Sequence, residues 1–189
     1  GTYTIIAQVV AEVLNVDFNM ISVVIGDTDL TPYGPSSGGS QTVASITPAV
    51  RDAAEKMKDK IISASATILD EKEENIVISN GRLVTKNKSK EIMLNELIES
   101  LDTKKIATDG AREENLEGFI TQSFGAQFAE VSVDTLTGVV KVNKVVAAHD
   151  IGRTLNKQTL ENQFHGGIMQ GIGFALMEER LIDNNYGRV

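Results

Sequence analysis

Three segments of this sequence carry residue types and spacings that could do chemistry. The first is Pro35-Ser36-Ser37-Gly38-Gly39-Ser40-Gln41-Thr42. Two adjacent glycines let a backbone approach a ligand with no Cβ in the way, and a following helix would turn its unpaired N–H groups toward an anion. Ser40 and Thr42 add hydroxyls. Taken alone, the segment fits a flexible turn before a helix cap more simply, because Ser and Thr favour that position anyway. It is not a phosphate-binding Walker loop, since no Gly-Lys-Ser/Thr ending is present. The second segment is Asp150-Ile151-Gly152-Arg153-Thr154-Leu155-Asn156. Arg153 could hold a phosphate or carboxylate and Asn156 could cap the next helix, although a strand-to-helix loop with a solvated Arg is the simpler reading. The third runs from Glu161 to Gly173, where Gln163 and Gln170 share a helix face amid Gly166, Gly167, Gly171 and Gly173. Carboxamides both donate and accept, which suits the edge of a heterocycle. Tight helix packing through glycine explains the same residues equally well.

Other chemistries are excluded by composition. The 189 residues include no Cys and only two His, His149 and His165. That removes thiolate nucleophiles, disulfides, zinc–thiolate sites and iron–sulfur ligation. Neither His has a neighbour in sequence that would make a triad or a metal pair, so both read as structural and no metal-ligating residue is assigned. Net charge is −8 with no concentrated basic stretch, which argues against nucleic acid. No apolar run could span a membrane and no signal peptide is visible, so a reducing, cytoplasmic setting fits. The acidic run Asp70-Glu71-Lys72-Glu73-Glu74 reads as a solvated helix end. A nucleotide-transfer enzyme fails for want of a phosphate-binding lysine, paired metal-binding carboxylates or a nucleophile motif.

The elements that must position these segments follow from periodicity. Ile5, Ile6, Val9, Val10, Val13 and Leu14 predict a helix from about Thr4 to Asn15. Met20 to Gly26 alternates and is β-branched, which predicts a strand. Asp27 to Ser40, rich in Gly, Pro and hydroxyls, predicts a long loop. A second helix is expected from about Gln41 to Leu69, with Val43, Ile46, Val50, Ala53, Ala54, Met57, Ile61 and Ala64 as its apolar stripe. Pro48 lies inside it and moves the expected regular start toward Thr47. Asn80-Gly81 between Ile76–Ser79 and Arg82–Thr85 predicts a hairpin. Ile92 to Leu101 predicts a short helix and Asp102 to Glu117 a polar connector. Ser123–Asp134 and Val139–His149 predict a second hairpin closed at Gly138. The last helix is expected over Thr159–Glu178, and its four glycines each cost roughly 1 kcal/mol relative to Ala unless a backbone or ligand approaches closely. The fold class is α+β: two αβ units, 1–117 and 118–189, with helices packed on antiparallel sheets. A start without Met and an end without a closing element suggest a piece of a longer polypeptide.

In their order these segments resemble the molybdenum-binding subunit of the xanthine dehydrogenase and aldehyde oxidase family. The matching pieces are Gly1-Thr2-Tyr3-Thr4 with Gln8, Gly26-Asp27-Thr28-Asp29, Pro35 to Thr42, Gly125-Ala126-Gln127-Phe128-Ala129-Glu130-Val131, Asp134 to Gly138, His149 to Asn156, and Glu161 to Gly173. Each piece alone is weak, and their order over nearly the whole chain makes the signal.

The resemblance implies a molybdopterin-binding fold and a molybdopterin cytosine dinucleotide whose dithiolene holds molybdenum, so the protein need supply no metal ligand. It places Gly1, Thr4, Gly38, Gly39, Ser40 and Thr42 at the cofactor, with Gln163 reading the pterin. Gly1 is similar to the final residue of the family's Gly-Gln-Gly segment. The implied activity is hydroxylation of an electron-poor carbon with water-derived oxygen, most simply of a purine such as xanthine or hypoxanthine. The implied partners are the remainder of the molybdenum-binding subunit and iron–sulfur (2Fe-2S) and FAD subunits or domains in an oligomeric complex. The family's general base, a glutamate in a Gly-Glu motif, has no counterpart after Gly173, so no catalytic residue is assigned and the chain alone is expected to be inactive. A non-catalytic binding or assembly module, and a nicotinate or aldehyde hydroxylase of the same family, stand as alternatives.

Overall fold

The computed structural model describes residues 1–34, 36–114, 118, 120 and 122–188. Pro35 at the head of the glycine–serine loop and Glu117 at the end of the expected connector lie outside the described residues. Helices and antiparallel strands form two compact units, Gly1–Glu114 and Asn115–Val189.

The first unit is built on two helices, α1 (Thr2–Leu14) and α2 (Thr42–Leu69), packed against each other. Against them lies a three-stranded antiparallel sheet, β1 (Ile76–Ser79), β2 (Arg82–Thr85) and β3 (Glu91–Met93), followed by α3 (Leu94–Ser100). The core joins Leu14 of α1, Ile61 and Leu69 of α2, Ile76 and Ile78 of β1, Leu83 of β2 and Leu97 of α3. Asn80 (φ 49°) and Gly81 (φ 75°) both take the left-handed backbone of the turn that joins β1 to β2, as the Asn-Gly pair predicts. The C-terminus of α2 turns at left-handed Asp70, and the Lys90 ammonium donates to the carbonyls of Leu69 and Asp70. Cations at that end of a helix offset its exposed carbonyl dipoles.

Three expectations are corrected. Ile21 to Ile25 is not a strand: Phe18–Met20 is a short 3₁₀ turn, and the β-branched run after it has no paired strand among the described residues. Alternation makes a segment suitable for a sheet, but a strand exists only where a neighbour completes its hydrogen bonds. Ile92 and Met93 belong with Glu91 to β3 rather than to the short helix, because they pair with Leu83 and Arg82 of β2. The helix starts at Leu94, where the Glu96 carboxylate accepts from the Met93 N–H at 3.1 Å. Finally, α2 is regular from Thr42 and carries Pro48 in its second turn. The lost Pro48 donor leaves only the Ala44 carbonyl without its helical partner, and Ala44 is exposed where water can bind it.

The connector after α3 straps back onto α2. Thr108 Oγ1 donates to the Ala53 carbonyl (3.0 Å), Lys60 Nζ to the Ala107 carbonyl (2.9 Å), and the Ala111 N–H to Asp52 Oδ2 (3.0 Å). A Cβ at Gly110 would overlap the Ala49 carbonyl oxygen and the Ala53 backbone, so the strap needs glycine there. The Lys56 ammonium, 2.7 Å from Asp52 Oδ2, and the Ala111 N–H hold the Asp52 carboxyl below its ordinary value.

The second unit is a long hairpin, β4 (Phe124–Val133) and β5 (Val140–Asp150), followed by α4 (Lys157–Leu176). The strands pair from Phe124↔Asp150 to Val133↔Val140 with one irregularity at Glu130/Val131. Gly138 (φ 74°) closes the turn, where Asp134 Oδ1 accepts from the N–H groups of Leu136 and Thr137. None of the described residues of β4, β5 or α4 is buried.

Two outcomes test the strap. Gly110→Ala should release residues 106–112 from α2, seen as faster amide exchange at Ala111, while exchange in the buried β2 strand stays slow. In a pH titration followed by NMR, the Asp52 carboxyl should titrate below an exposed Asp. Its folded value is depressed, so its contribution is present above the unfolded value and fades as pH falls through the folded one. The Ala111 amide should follow the same curve.

Candidate functional site

The glycine–serine loop ends in a backbone reversal that the sequence only partly announces. Gly38–Ser40 forms a 3₁₀ turn in which Gly39 (φ 66°) and Ser40 (φ 55°) are both left-handed, and Gln41 (φ −93°, ψ −3°) returns to the right-handed region. Successive N–H groups across such a change of hand converge on a concavity suited to anions. The loop opens directly into α2, whose N-cap is Gln41 and which has no side-chain cap. The simpler reading, Ser or Thr capping the helix, is therefore not what the loop does. No atom of the described residues lies within 4 Å of the place a Cβ on Gly38 would occupy, and residues 36–41 are exposed.

The other expected cofactor residues are distributed as follows. Gly1 is the N-cap of α1 and Thr4 lies in its first turn, half-buried. Thr42 is the first residue of α2. These six residues belong to the first unit, with Gly38, Gly39, Ser40 and Thr42 gathered within five positions at one helix end. Gln163 belongs to the second unit, exposed on α4. Asp27 braces the start of the loop: its carboxylate accepts from the Asp29 N–H (2.9 Å) and its carbonyl from the Thr31 hydroxyl (2.6 Å).

In the second unit the approach to α4 is rigid. Asp150 Oδ1 accepts from the Gly152 N–H at 3.0 Å, with Gly152 at φ 72°. Asn156 is the N-cap, as its type suggests: its side-chain oxygen accepts from the Thr159 N–H at 3.0 Å. The helix begins at Lys157 and ends at Leu176, two residues earlier than expected at each end. The glycines of α4 have no close neighbour within their own unit at Gly166, Gly167 or Gly171, so their expected close approach is not made there. One contact escaped the sequence reading. His149 stacks on Phe164 with ring centroids 4.3 Å apart and planes 15° from parallel. The pair is fifteen positions apart and lies on two different elements, so periodicity could not reveal it.

Among the described residues no three His, Cys, Asp or Glu gather as a metal site, and no helix is long and apolar enough to cross a membrane. The loop suits a large anionic group: glycine gives it access, a left-handed reversal aims N–H donors, and an uncapped helix adds its positive end.

Comparison with known proteins decides the family. The profile of the molybdopterin cofactor-binding domain matches residues 1–189. The chain belongs to that family. It is 31% identical over 194 residues to the xanthine dehydrogenase molybdenum-binding subunit of Escherichia coli O157:H7, covering 100% of this chain and 26% of that protein. An aldehyde oxidoreductase molybdenum-binding subunit of the same organism is 33% identical over 196 residues, covering 99% of this chain and 24% of its own length. The structure of quinoline 2-oxidoreductase from Pseudomonas putida 86 superposes with a TM-score of 0.80 at 26% identity, over 100% of this chain and 25% of that one. The chain thus spans about a quarter of the relatives it matches. Its α+β architecture is that of the molybdenum-binding region of molybdenum hydroxylases, and its relatives are oxidoreductases.

The N-cap geometry generates a direct test. Asn156→Ala should cost α4 about 1 kcal/mol and Asn156→Asp much less. Amide exchange at Thr159 should rise in the first variant and stay near the parent rate in the second.

Proposed function

We propose that this chain is the cofactor cradle of a molybdenum hydroxylase of the xanthine dehydrogenase type. The observation that carries the reading is the left-handed Gly39–Ser40 reversal opening straight into an uncapped α2. The N–H groups of that reversal and of the first turn of α2 would hold the phosphate arm of a molybdopterin cytosine dinucleotide. Ser40 and Thr42 would add hydroxyl contacts, Gly1 and Thr4 would contribute from the start of α1, and Gln163 would read the pterin edge through its carboxamide. The bound group supplies the redox chemistry that places a water-derived oxygen on an electron-poor carbon. What these residues do is bind and orient, using backbone more than side chains.

The substrate favoured is a heteroaromatic purine such as xanthine or hypoxanthine, supported by the similarity to a xanthine dehydrogenase subunit. The similarity to an aldehyde oxidoreductase subunit supports a second reading, an aldehyde hydroxylase of the same family. In the complete cytoplasmic enzyme, electrons would leave through 2Fe-2S and FAD partners. No residue of this chain is assigned as general base, so the 189 residues alone should not turn over substrate.

The test uses the full-length protein that contains this chain. Purified from cells competent for cofactor maturation, it should carry molybdenum and release cytidine monophosphate on acid hydrolysis. Gly39→Val forces a β-branched side chain into left-handed backbone at a cost of about 1–2 kcal/mol, so metal and pterin content should fall about tenfold. Equal cofactor content in parent and variant would remove the loop from the site. Protein lacking both metal and nucleotide would leave a non-catalytic module as the better description.

A further inference from the structure

The His149–Phe164 stack lies beside the residue expected to read the pterin, and what surrounds it gives it a task. Gly125 pairs with His149 across the hairpin, and a Cβ on Gly125 would collide with the imidazole and with the Ala148 carbonyl oxygen. The ring thus rests in space that only glycine leaves open. Gln127 Nε2 stands 3.5 Å from His149 Nε2, and Val145, Ala147 and Ile168 line the cavity beside the stack with Glu161 and His165.

The stack anchors one face of α4. α4 has no buried residue among those described, and four glycines weaken it after Phe164. Leu160, Phe164, Ile168 and Ile172, four residues apart, make a half-buried face on it, and Phe164 is the one of them that stacks on a ring. Asn156 fixes where α4 starts but not how it is turned. The ring contact at Phe164 adds a fixed point on the half-buried face. Successive helical residues are about 100° apart, so fixing Phe164 also fixes the direction of its neighbour Gln163.

We propose that His149 is a positioning residue for the cofactor: seated on Gly125 and stacked on Phe164, it sets the roll of α4 and thereby aims the Gln163 carboxamide at the pterin. This rests on the assignment of Gln163 to the cofactor. His149 acts through Phe164, and flat ring area is what the task requires. Phenylalanine should therefore replace it, whereas alanine should not.

The experiment compares His149→Ala, His149→Phe, Gly125→Ala and Gln163→Ala in the full-length protein. Molybdenum and pterin retained after buffer exchange and the circular dichroism of the bound cofactor are both recorded. Gln163→Ala should lower retention and alter the dichroism. His149→Ala should lower retention about fivefold, the factor to which a stack of this kind amounts, and alter the same dichroic bands. Gly125→Ala, which unseats the imidazole without removing it, should reproduce that result, and His149→Phe should restore parent behaviour. If Gln163→Ala perturbs the cofactor while His149→Ala does not, or if Phe is as damaging as Ala at 149, the positioning role is overturned and the assignment of Gln163 survives. A Gln163→Ala protein with parent retention and dichroism overturns the assignment of Gln163 and this inference with it.

Discussion

Ile61 and Leu69 tie the C-terminal half of α2 into the core of the first unit, and the residues of α2 before Ala54 are at most half-buried. At 28 residues the helix is about 42 Å long, so its half-buried N-terminal half carries the glycine–serine loop well away from that core. Everything proposed for that loop depends on this division. Burial of the far half against Leu83, Leu97 and Leu14 sets the helix axis, and the axis aims the open N-terminus. The strap at Thr108–Ala111 grips α2 at Asp52 and Ala53, where burial gives out, and so continues the support toward the loop.

The second unit is organised on a different principle. Its hairpin and helix are ordered by local features: a turn closed by Asp134 and Gly138, a cap at Asn156, and a ring stack at His149. Phe128 is 71% exposed and Phe174 60% exposed, so large apolar rings have not been withdrawn from water. Within these residues, local devices define the shape of the unit.

Sequence reading succeeded where a residue type answers a local backbone requirement. Asn80-Gly81, Gly138 and Asn156 each do so, and each was legible. It failed where the outcome depends on a partner. Ile21 to Ile25 has every property of a strand except a neighbour, and Glu91 to Met93 has helical surroundings but pairs with β2. The apolar stripe of α2 was visible from Val43 onward, yet Val43 itself is 38% exposed, because a stripe records capacity for burial and not its extent. At the site, the glycines and hydroxyls were legible as types. The left-handed Ser40 was not, since a non-glycine residue rarely takes that conformation.

That last feature bears most directly on function. Serine in the left-handed region costs roughly 1 kcal/mol that glycine would not, and a third glycine would have been the relaxed solution for a mere turn. Keeping serine retains a hydroxyl and accepts strained backbone in the same place. α2 itself has no side-chain cap. Strain kept at a solvent-exposed helix entrance, next to a glycine that clears the approach, is what a binding loop needs. In the proposed cofactor site it would fix N–H donors before the ligand arrived, so that less ordering would be required on binding. The pterin assignment then needs few side chains from this chain, which is consistent with motifs that are individually weak and persuasive only in sequence order.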